Sequence, residues 1–218
     1  MTLNVNGTIL YYETYGAGEP MILLHGNGED HHIFDKITEK LKESFTIYAI
    51  DSRNHGKSQQ TDDYSYETMS EDIYCFIRKL QLGKVFVIGF SDGAIISLIL
   101  SINHSECIKK MALLGVNLKP EDFTEECYEY IKYQYEETQN PLFKLMLEQP
   151  NIKMDEVRTV KIPTLVIAGE YDLYRPEMFT ELTDTMPDAK LIIMSGYEHD
   201  NYIVNQDILY SNFMNFFI

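Results

Sequence analysis

The pentapeptide G-F-S-D-G at positions 89–93 constrains the fold most, because it places one serine, Ser91, between two apolar runs. The run from Lys84 to Ile88 is rich in β-branched and aromatic residues and predicts a buried strand. The run from Ala94 to Leu100 is too long and too apolar for a second strand and predicts a buried helix. A strand joined so directly to a helix needs a very tight turn, which the two glycines permit because they have no side chains to collide. We expect the turn to strain the backbone of the serine and to direct its hydroxyl off the edge of the sheet.

Strand-type runs alternate with apolar residues at helical spacing along most of the chain. Leu3 to Val5 and Ile9 to Tyr12 flank an Asn-Gly pair and predict an antiparallel hairpin. Six further strand-type runs occupy residues 21–24, 45–50, 84–88, 108–114, 164–168 and 191–194. The alternation predicts an α/β fold: a mostly parallel, eight-stranded sheet with helices on both faces. Residues 203–218 are expected to form a closing helix.

The alternation stops between residues 116 and 160, where acidic and aromatic residues are frequent and no strand is indicated. Apolar residues at helical spacing predict two or three short helices in this interval. We therefore expect a core domain made of residues 1–115 and 161–218. Residues 116–160 are expected to be a small helical insertion after the sixth strand.

The composition favours a cytoplasmic globular protein. No apolar run of the 218 residues approaches the roughly 18 needed to span a bilayer, and no basic and apolar leader begins the chain. The three cysteines are an odd number without metal-type spacing, which suits a reducing compartment. The net charge of −16 argues against nucleic acid as a partner, since its phosphates would be repelled. We expect no membrane association and no metal site, and both monomer and homodimer are open.

Two polar residues follow the last two predicted strands. Asp172 follows the run 164–168 and His199 follows the run 191–194, so a parallel sheet would place both at the carboxyl edge that also carries Ser91. A serine hydroxyl is a weak nucleophile unless a histidine base, held in one tautomer by a carboxylate, activates it. Ser91, Asp172 and His199 are therefore the predicted catalytic residues. Taken alone, an aspartate at position 172 would more often be a cap of the helix that begins near Pro176.

The motifs together resemble the serine-hydrolase branch of the α/β-hydrolase family. They are the strand-turn-helix setting of G-F-S-D-G, H-G-N-G at 25–28, D-S-R-N-H-G-K-S at 51–58 and the chain order Ser, Asp, His. The resemblance implies hydrolysis of a small ester or related acyl compound through an acyl-enzyme, without metal or organic cofactor. Thioesterase, lactonase, amino-ester or peptide hydrolase and carbon-carbon hydrolase activities stay open, as do acyl transfer and a non-catalytic ligand-binding role.

The resemblance also implies an oxyanion hole formed by the backbone N–H groups of Asn27 and Asp92. The Asp92 carboxylate has two interpretations: it stabilises the N-terminus of the following helix, which we favour, or it binds an amine of the substrate. The insertion is expected to form a short lid. Tyr130 and Phe143 on this lid are expected to contact the substrate, although packing onto the core is an alternative for such aromatic residues. His55 in the loop 51–58 is expected to bond locally within its turn.

Overall fold

A computed structural model describes the whole chain from Met1 to Ile218, and its centre is one sheet of eight strands. The strands are β1 Thr2–Val5, β2 Thr8–Tyr15, β3 Glu19–Leu24, β4 Phe45–Ile50, β5 Val85–Phe90, β6 Ile108–Leu114, β7 Thr164–Tyr171 and β8 Ala189–Glu198. The α-helices are α1 Asp35–Leu41, α2 Tyr66–Lys79, α3 Asp92–Asn103, α4 Glu125–Thr138, α5 Pro141–Glu148, α6 Met154–Val157, α7 Pro176–Thr185 and α8 Tyr210–Phe217.

The strands lie in the order β1-β2-β4-β3-β5-β6-β7-β8. The pairs β1–β2 and β2–β4 are antiparallel, and every other neighbouring pair is parallel. This confirms the predicted mostly parallel, eight-stranded α/β fold. The parallel strands bring their carboxyl ends to one edge of the sheet, which is where loops can combine residues that are distant in the sequence.

The sheet separates two hydrophobic clusters, one on each face. Successive residues of β3 alternate between them, since Ile22 and Leu24 belong to one cluster and Met21 and Leu23 to the other. Helices α2, α3 and α7 contribute to the larger cluster, and α1 and α8 contribute to the smaller one. Helix α3 is buried from Asp92 to Ser101. A helix that is apolar on all sides suits this central position, where it contacts both the sheet and α2.

The C-terminal helix is shorter than the sequence predicts. We expected residues 203–218 to be helical, but α8 begins only at Tyr210. Asn205 has φ +49, which interrupts a right-handed helix, and its N–H donates to the carbonyl of Ile33 instead. Ile203 is nevertheless fully buried, so the apolar pattern correctly marked burial while the helical assignment was wrong.

Three helices lie between β6 and β7, in the interval where the insertion was expected. The Thr124 hydroxyl accepts the Cys127 N–H at the start of α4, and the Asn140 side chain accepts the Leu142 N–H at the start of α5. Only Ile131 of α4 is fully buried, so most of this helix faces solvent. Its role as a lid stays a prediction. No helix of the chain combines the length and apolar character needed to cross a membrane.

Candidate active site

Ser91 occupies a strained turn between β5 and α3. Its backbone has φ +51 and ψ −115, a conformation that residues with side chains rarely adopt, and its N–H donates to the carbonyl of Leu114. A Cβ on Gly89 would lie 2.2 Å from the carbonyl oxygen of Gly93, and one on Gly93 would lie 2.0 Å from that of Leu24. The turn therefore requires glycine at both positions, as the sequence pattern predicts. Ser91 is 7% exposed at the edge of the sheet.

His199 and Asp172 form a buried hydrogen-bonded pair at the same edge of the sheet. His199 Nδ1 lies 2.7 Å from Asp172 Oδ1, and the N–H groups of Gly169 and Leu173 donate to the two oxygens of this carboxylate. The carboxylate fixes the ring so that Nδ1 carries the proton and Nε2 is free to act as a base. Nε2 is buried and has no hydrogen-bond partner, so the Ser91 hydroxyl does not bond to it in this structure.

The loop after β3 brings the first predicted oxyanion-hole residue to the nucleophile. A Cβ on Gly26 would lie 3.1 Å from the Ser91 Cβ, so this loop packs directly against the elbow. The N–H of Asn27 has no hydrogen-bond acceptor. Asp92 is the first residue of α3, and N–H groups at this position have no acceptor within their helix. Both predicted donors are thus available for a ligand oxygen.

Asp92 is 4% exposed, and its side chain is held by two neutral donors. The Tyr66 hydroxyl donates to one oxygen at 2.7 Å, and the Asn27 side-chain amide donates to the other at 2.9 Å. Burial raises the pKa of Asp92, whereas the Tyr66 hydroxyl, the charge of His55 and the Asn27 amide oppose that rise. The carboxylate makes no hydrogen bond to the helix backbone. It lies at the helix N-terminus, but the side-chain bond to Asn27 connects it to the predicted oxyanion loop.

Two further polar residues of the site escaped the sequence analysis. The Glu29 carboxylate accepts the N–H of Gly26 at 2.9 Å, and burial raises its pKa to about 7, opposed by that N–H and by the charge of His199. Tyr174 is 2% exposed and lies beside Ser91, with its ring centroid 5.5 Å from that of His199. Only their positions in the sequence could have marked these residues as part of the site. Glu29 directly follows H-G-N-G, and Tyr174 lies two residues after Asp172.

The loop 51–58 has the local hydrogen bonds expected for a structural turn. His55 Nδ1 lies 2.9 Å from the carbonyl of Arg53, whose guanidinium makes two bonds of 2.6 Å to Asp72. The Ser52 N–H donates to Nε2 of His25, and burial and the neighbouring His55 lower the pKa of His25 to about 4. His25 is therefore a neutral acceptor that attaches the loop after β3 to this turn.

A cavity of about 630 Å³ adjoins the pair His199 and Asp172. Tyr130 of α4 lines this cavity, whereas Ser91 does not, and a substrate contact of Tyr130 stays a prediction. Phe143 does not line it and packs half-buried against the larger hydrophobic cluster, which agrees with the packing alternative. A substrate contact of Phe143 stays a prediction.

One set of three side chains lies close enough together to hold a metal ion: Asp30, His31 and His32. The Nδ1 of His31 is already hydrogen-bonded to the Asp51 carboxylate.

Comparisons with known proteins agree with this architecture. An uncharacterized hydrolase, YraK, of Bacillus subtilis (strain 168) is 34% identical over 113 residues, which are 50% of this chain and 42% of that protein. The serine hydrolase BPHL of Mus musculus is 26% identical over an alignment of 232 residues that covers 91% of this chain and 79% of the mouse protein. The chain thus spans less than half of the length of the Bacillus relative.

Solved structures of the same fold cover the whole chain at low sequence identity. The enol-lactonase of Burkholderia xenovorans LB400 superposes with a TM-score of 0.84 at 20% identity and covers 100% of this chain and 99% of its own. A meta-cleavage product hydrolase of Pseudomonas fluorescens IP01 gives a TM-score of 0.83 at 19% identity, with coverage of 100% and 97%. The family model described as alpha/beta hydrolase fold matches residues 19–143, more than half of the chain. The chain therefore belongs to the α/β-hydrolase fold family.

Proposed function

We propose that the chain is a serine hydrolase that cleaves a small ester or a related acyl compound through an acyl-enzyme. The observation that carries the proposal is the 2.7 Å hydrogen bond between His199 and Asp172 at the sheet edge that also presents Ser91 in its strained turn. The Nε2 of this buried histidine has no hydrogen-bond partner. A free imidazole nitrogen at the same sheet edge as a serine is the arrangement that activates the serine hydroxyl as a nucleophile. Family membership supports a hydrolytic reaction but does not specify the bond.

Each residue of the site has a defined role in the proposed reaction. His199 Nε2 takes the proton of the Ser91 hydroxyl as the oxygen attacks the acyl carbon. The N–H groups of Asn27 and Asp92 stabilise the negative oxygen of the tetrahedral intermediate. His199 then protonates the leaving group, and water resolves the acyl-enzyme by the same steps. Asp172 holds the histidine tautomer and stabilises the transient imidazolium.

A panel of p-nitrophenyl esters of increasing chain length tests this proposal. We expect hydrolysis with an optimum at short acyl chains, because Ser91 is only 7% exposed. The Ser91→Ala variant is the control and should lose at least about 1000-fold in kcat, as removal of a catalytic nucleophile does elsewhere. Hydrolysis that survives this substitution would exclude Ser91 as the nucleophile.

Esters of amino acids are a second candidate substrate class, because the buried Asp92 carboxylate is hydrogen-bonded only to neutral donors and forms no ion pair within the chain. A substrate ammonium would supply the missing counter-charge. The Asp92→Asn variant should then lose kcat/KM for amino esters at least about tenfold more than for neutral esters of equal size. Equal losses of kcat/KM for both ester types would contradict amine binding by Asp92. Its role would then be structural, beside the helix N-terminus.

A further inference from the structure

Asn27 is held by hydrogen bonds of its side chain alone. Its backbone N–H has no acceptor and its carbonyl has no donor. Its amide nitrogen Nδ2 lies 2.9 Å from Oδ2 of Asp92 and 3.4 Å from the carbonyl oxygen of Leu142. Carboxylate and carbonyl oxygens accept hydrogen bonds, so each takes one of the two N–H groups of the amide. The Asn27 side chain therefore connects the loop after β3 to the start of α3 and to α5 of the insertion.

The next residue of the loop gives Asn27 little support. Gly28 is exposed and has φ +71, and a Cβ on it would meet no atom within 4 Å. A glycine in open space has access to several backbone conformations. The position of Asn27 therefore depends on its own side-chain hydrogen bonds and on the residues that precede it.

The preceding peptide group fixes the direction of the Asn27 N–H. His25 Nδ1 lies 2.8 Å from the carbonyl oxygen of Gly26, and the Ser52 N–H donates to Nε2 of the same ring. Since Nε2 accepts a hydrogen bond, Nδ1 carries the proton and donates to this carbonyl. The Gly26 carbonyl and the Asn27 N–H belong to one planar, trans peptide group, so they point in opposite directions. The contact of His25 sets a direction for the N–H, but it does not attach the loop to α3.

Asp92 provides that attachment, because its own side chain is fixed. Asp92 is 4% exposed, and its second oxygen accepts the Tyr66 hydroxyl at 2.7 Å. Its backbone N–H, directly after Ser91, is the second predicted oxyanion donor. The bond between the Asn27 and Asp92 side chains therefore joins the two residues whose backbone N–H groups would bind one oxygen. Such donors act only when both lie about 2.7–3.1 Å from the oxyanion, so their separation matters for the rate.

We propose that Asn27 is a positioning residue through its side chain, whose hydrogen bond to Asp92 sets the distance between the two backbone donors of the oxyanion hole. The inference rests on the proposed serine-hydrolase function and deepens it, because it separates the role of the Asn27 side chain from that of its backbone. It also gives the Asp92 carboxylate a role in the hydrolysis of neutral esters, which carry no amine.

The Asn27→Ala variant tests this role, since it keeps the backbone N–H and removes only the amide. With p-nitrophenyl acetate we expect kcat to fall about tenfold to 100-fold and KM to change less than about threefold, because a displaced donor weakens binding of the transition state. Titration with a fluorophosphonate to completion counts the active sites, so that unfolded protein does not lower the measured kcat. A kcat within about twofold of that of the unmodified chain would overturn the inference.

Asn151→Ala is the matched control. Asn151 is exposed, and its side-chain amide donates to the carbonyl of Glu148 at a distance of 2.8 Å, outside the site. This variant loses an asparagine amide and one hydrogen bond to a carbonyl, as Asn27→Ala does, but it should keep the kcat of the unmodified chain. An equal fall of kcat in both variants would contradict a specific role of Asn27.

Asn27→Ala in two further backgrounds shows whether Asn27 acts through Asp92. Asp92→Asn keeps an acceptor oxygen without a charge, whereas Asp92→Ala keeps no acceptor. Asn27→Ala should lower kcat at least about fivefold in the first background and less than about twofold in the second. Neither background has a carboxylate to leave unpaired, so this comparison decides the question even if Asn27→Ala alone fails to fold. Equal losses in the two backgrounds contradict the inference, whereas absence of hydrolysis by the unmodified chain contradicts the proposed function itself.

Discussion

Gly115 and His199 are packed so closely that a Cβ on Gly115 would lie 2.5 Å from Cε1 of the imidazole. Gly115 directly follows β6 and has φ +56, so a glycine is required there for conformation and for space. The residue thus sets how deeply the His199 ring can sit against the sheet edge. The contact links the end of β6 to the loop after β8 across the width of the site.

The Gly115→Ala variant should displace the His199 ring and lower kcat for ester hydrolysis by at least about tenfold, because misplaced catalytic groups lose rate steeply. Gly196→Ala is the matched control, since Gly196 also has a positive φ, of +80, but a Cβ there would meet no atom within 4 Å. Both variants carry a similar backbone cost of about 1 kcal/mol. Equal kcat in the two variants would show that the contact with His199 is unimportant.

The Tyr66→Phe variant should destabilise the chain by about 1.5–3 kcal/mol, the usual contribution of a buried hydrogen bond to a charged group. The Tyr66 hydroxyl is one of only two donors to the buried Asp92 carboxylate. Urea unfolding at pH 7 measures the loss. Tyr64→Phe provides the comparison because the Tyr64 hydroxyl makes no hydrogen bond in the structure. Similar unfolding free energies of the two variants would contradict the assigned bond.

Glu29 should make the stability of the chain fall as the pH rises. Burial raises its pKa to about 7 from the ordinary 4.5, so between these values the folded state binds more protons than the unfolded state. The free energy of unfolding therefore decreases from about pH 4.5 to pH 7, by at most about 3 kcal/mol for this group.

The Glu29→Gln variant, which carries no charge at any pH, isolates this contribution. Urea unfolding at pH 5 and pH 8 should give a smaller difference for this variant than for the unmodified chain. Glu43→Gln serves as the control because Glu43 is exposed and its side chain makes no hydrogen bond. If the difference between pH 5 and pH 8 is the same in all three proteins, Glu29 does not titrate in this range.

The buried pair Arg53 and Asp72 should be more sensitive to the loss of one partner than an exposed pair. Asp72→Ala leaves the buried guanidinium with only the longer contact to Asp63 and should cost about 3 kcal/mol of unfolding free energy. Asp155→Ala removes the partner of Arg158 in an exposed pair and should change little. Chemical denaturation of both variants checks the contrast, and a comparable loss from each would contradict it.

Local sequence patterns predicted the sheet and the positions of the main site residues. The elbow glycines and the apolar runs around Ser91 are sufficient to specify a strand, a turn and a helix, and the ends of β7 and β8 placed Asp172 and His199. The prediction of the sheet is confirmed, whereas the catalytic roles of Ser91, Asp172 and His199 stay predictions. The strand ends are neighbours in space because parallel strands share one carboxyl edge.

The remaining features depend on tertiary packing that the sequence does not display. Tyr66 reaches Asp92 only because α2 packs beside α3, and no local pattern marks a tyrosine on the first turn of a helix as an active-site neighbour. Glu29 resembles any acidic loop residue until its burial is known. The helical assignment of residues 203–209 failed because buried residues in a turn can imitate helical spacing.

The most direct test of the central claim is the site of covalent labelling by a fluorophosphonate, located by peptide mass spectrometry on the folded chain. The proposed triad predicts a single adduct on Ser91 that is absent from Ser91→Ala and strongly slowed in His199→Gln. No adduct on a folded chain, or an adduct on another residue, would contradict the proposal that Ser91, His199 and Asp172 form a working catalytic unit.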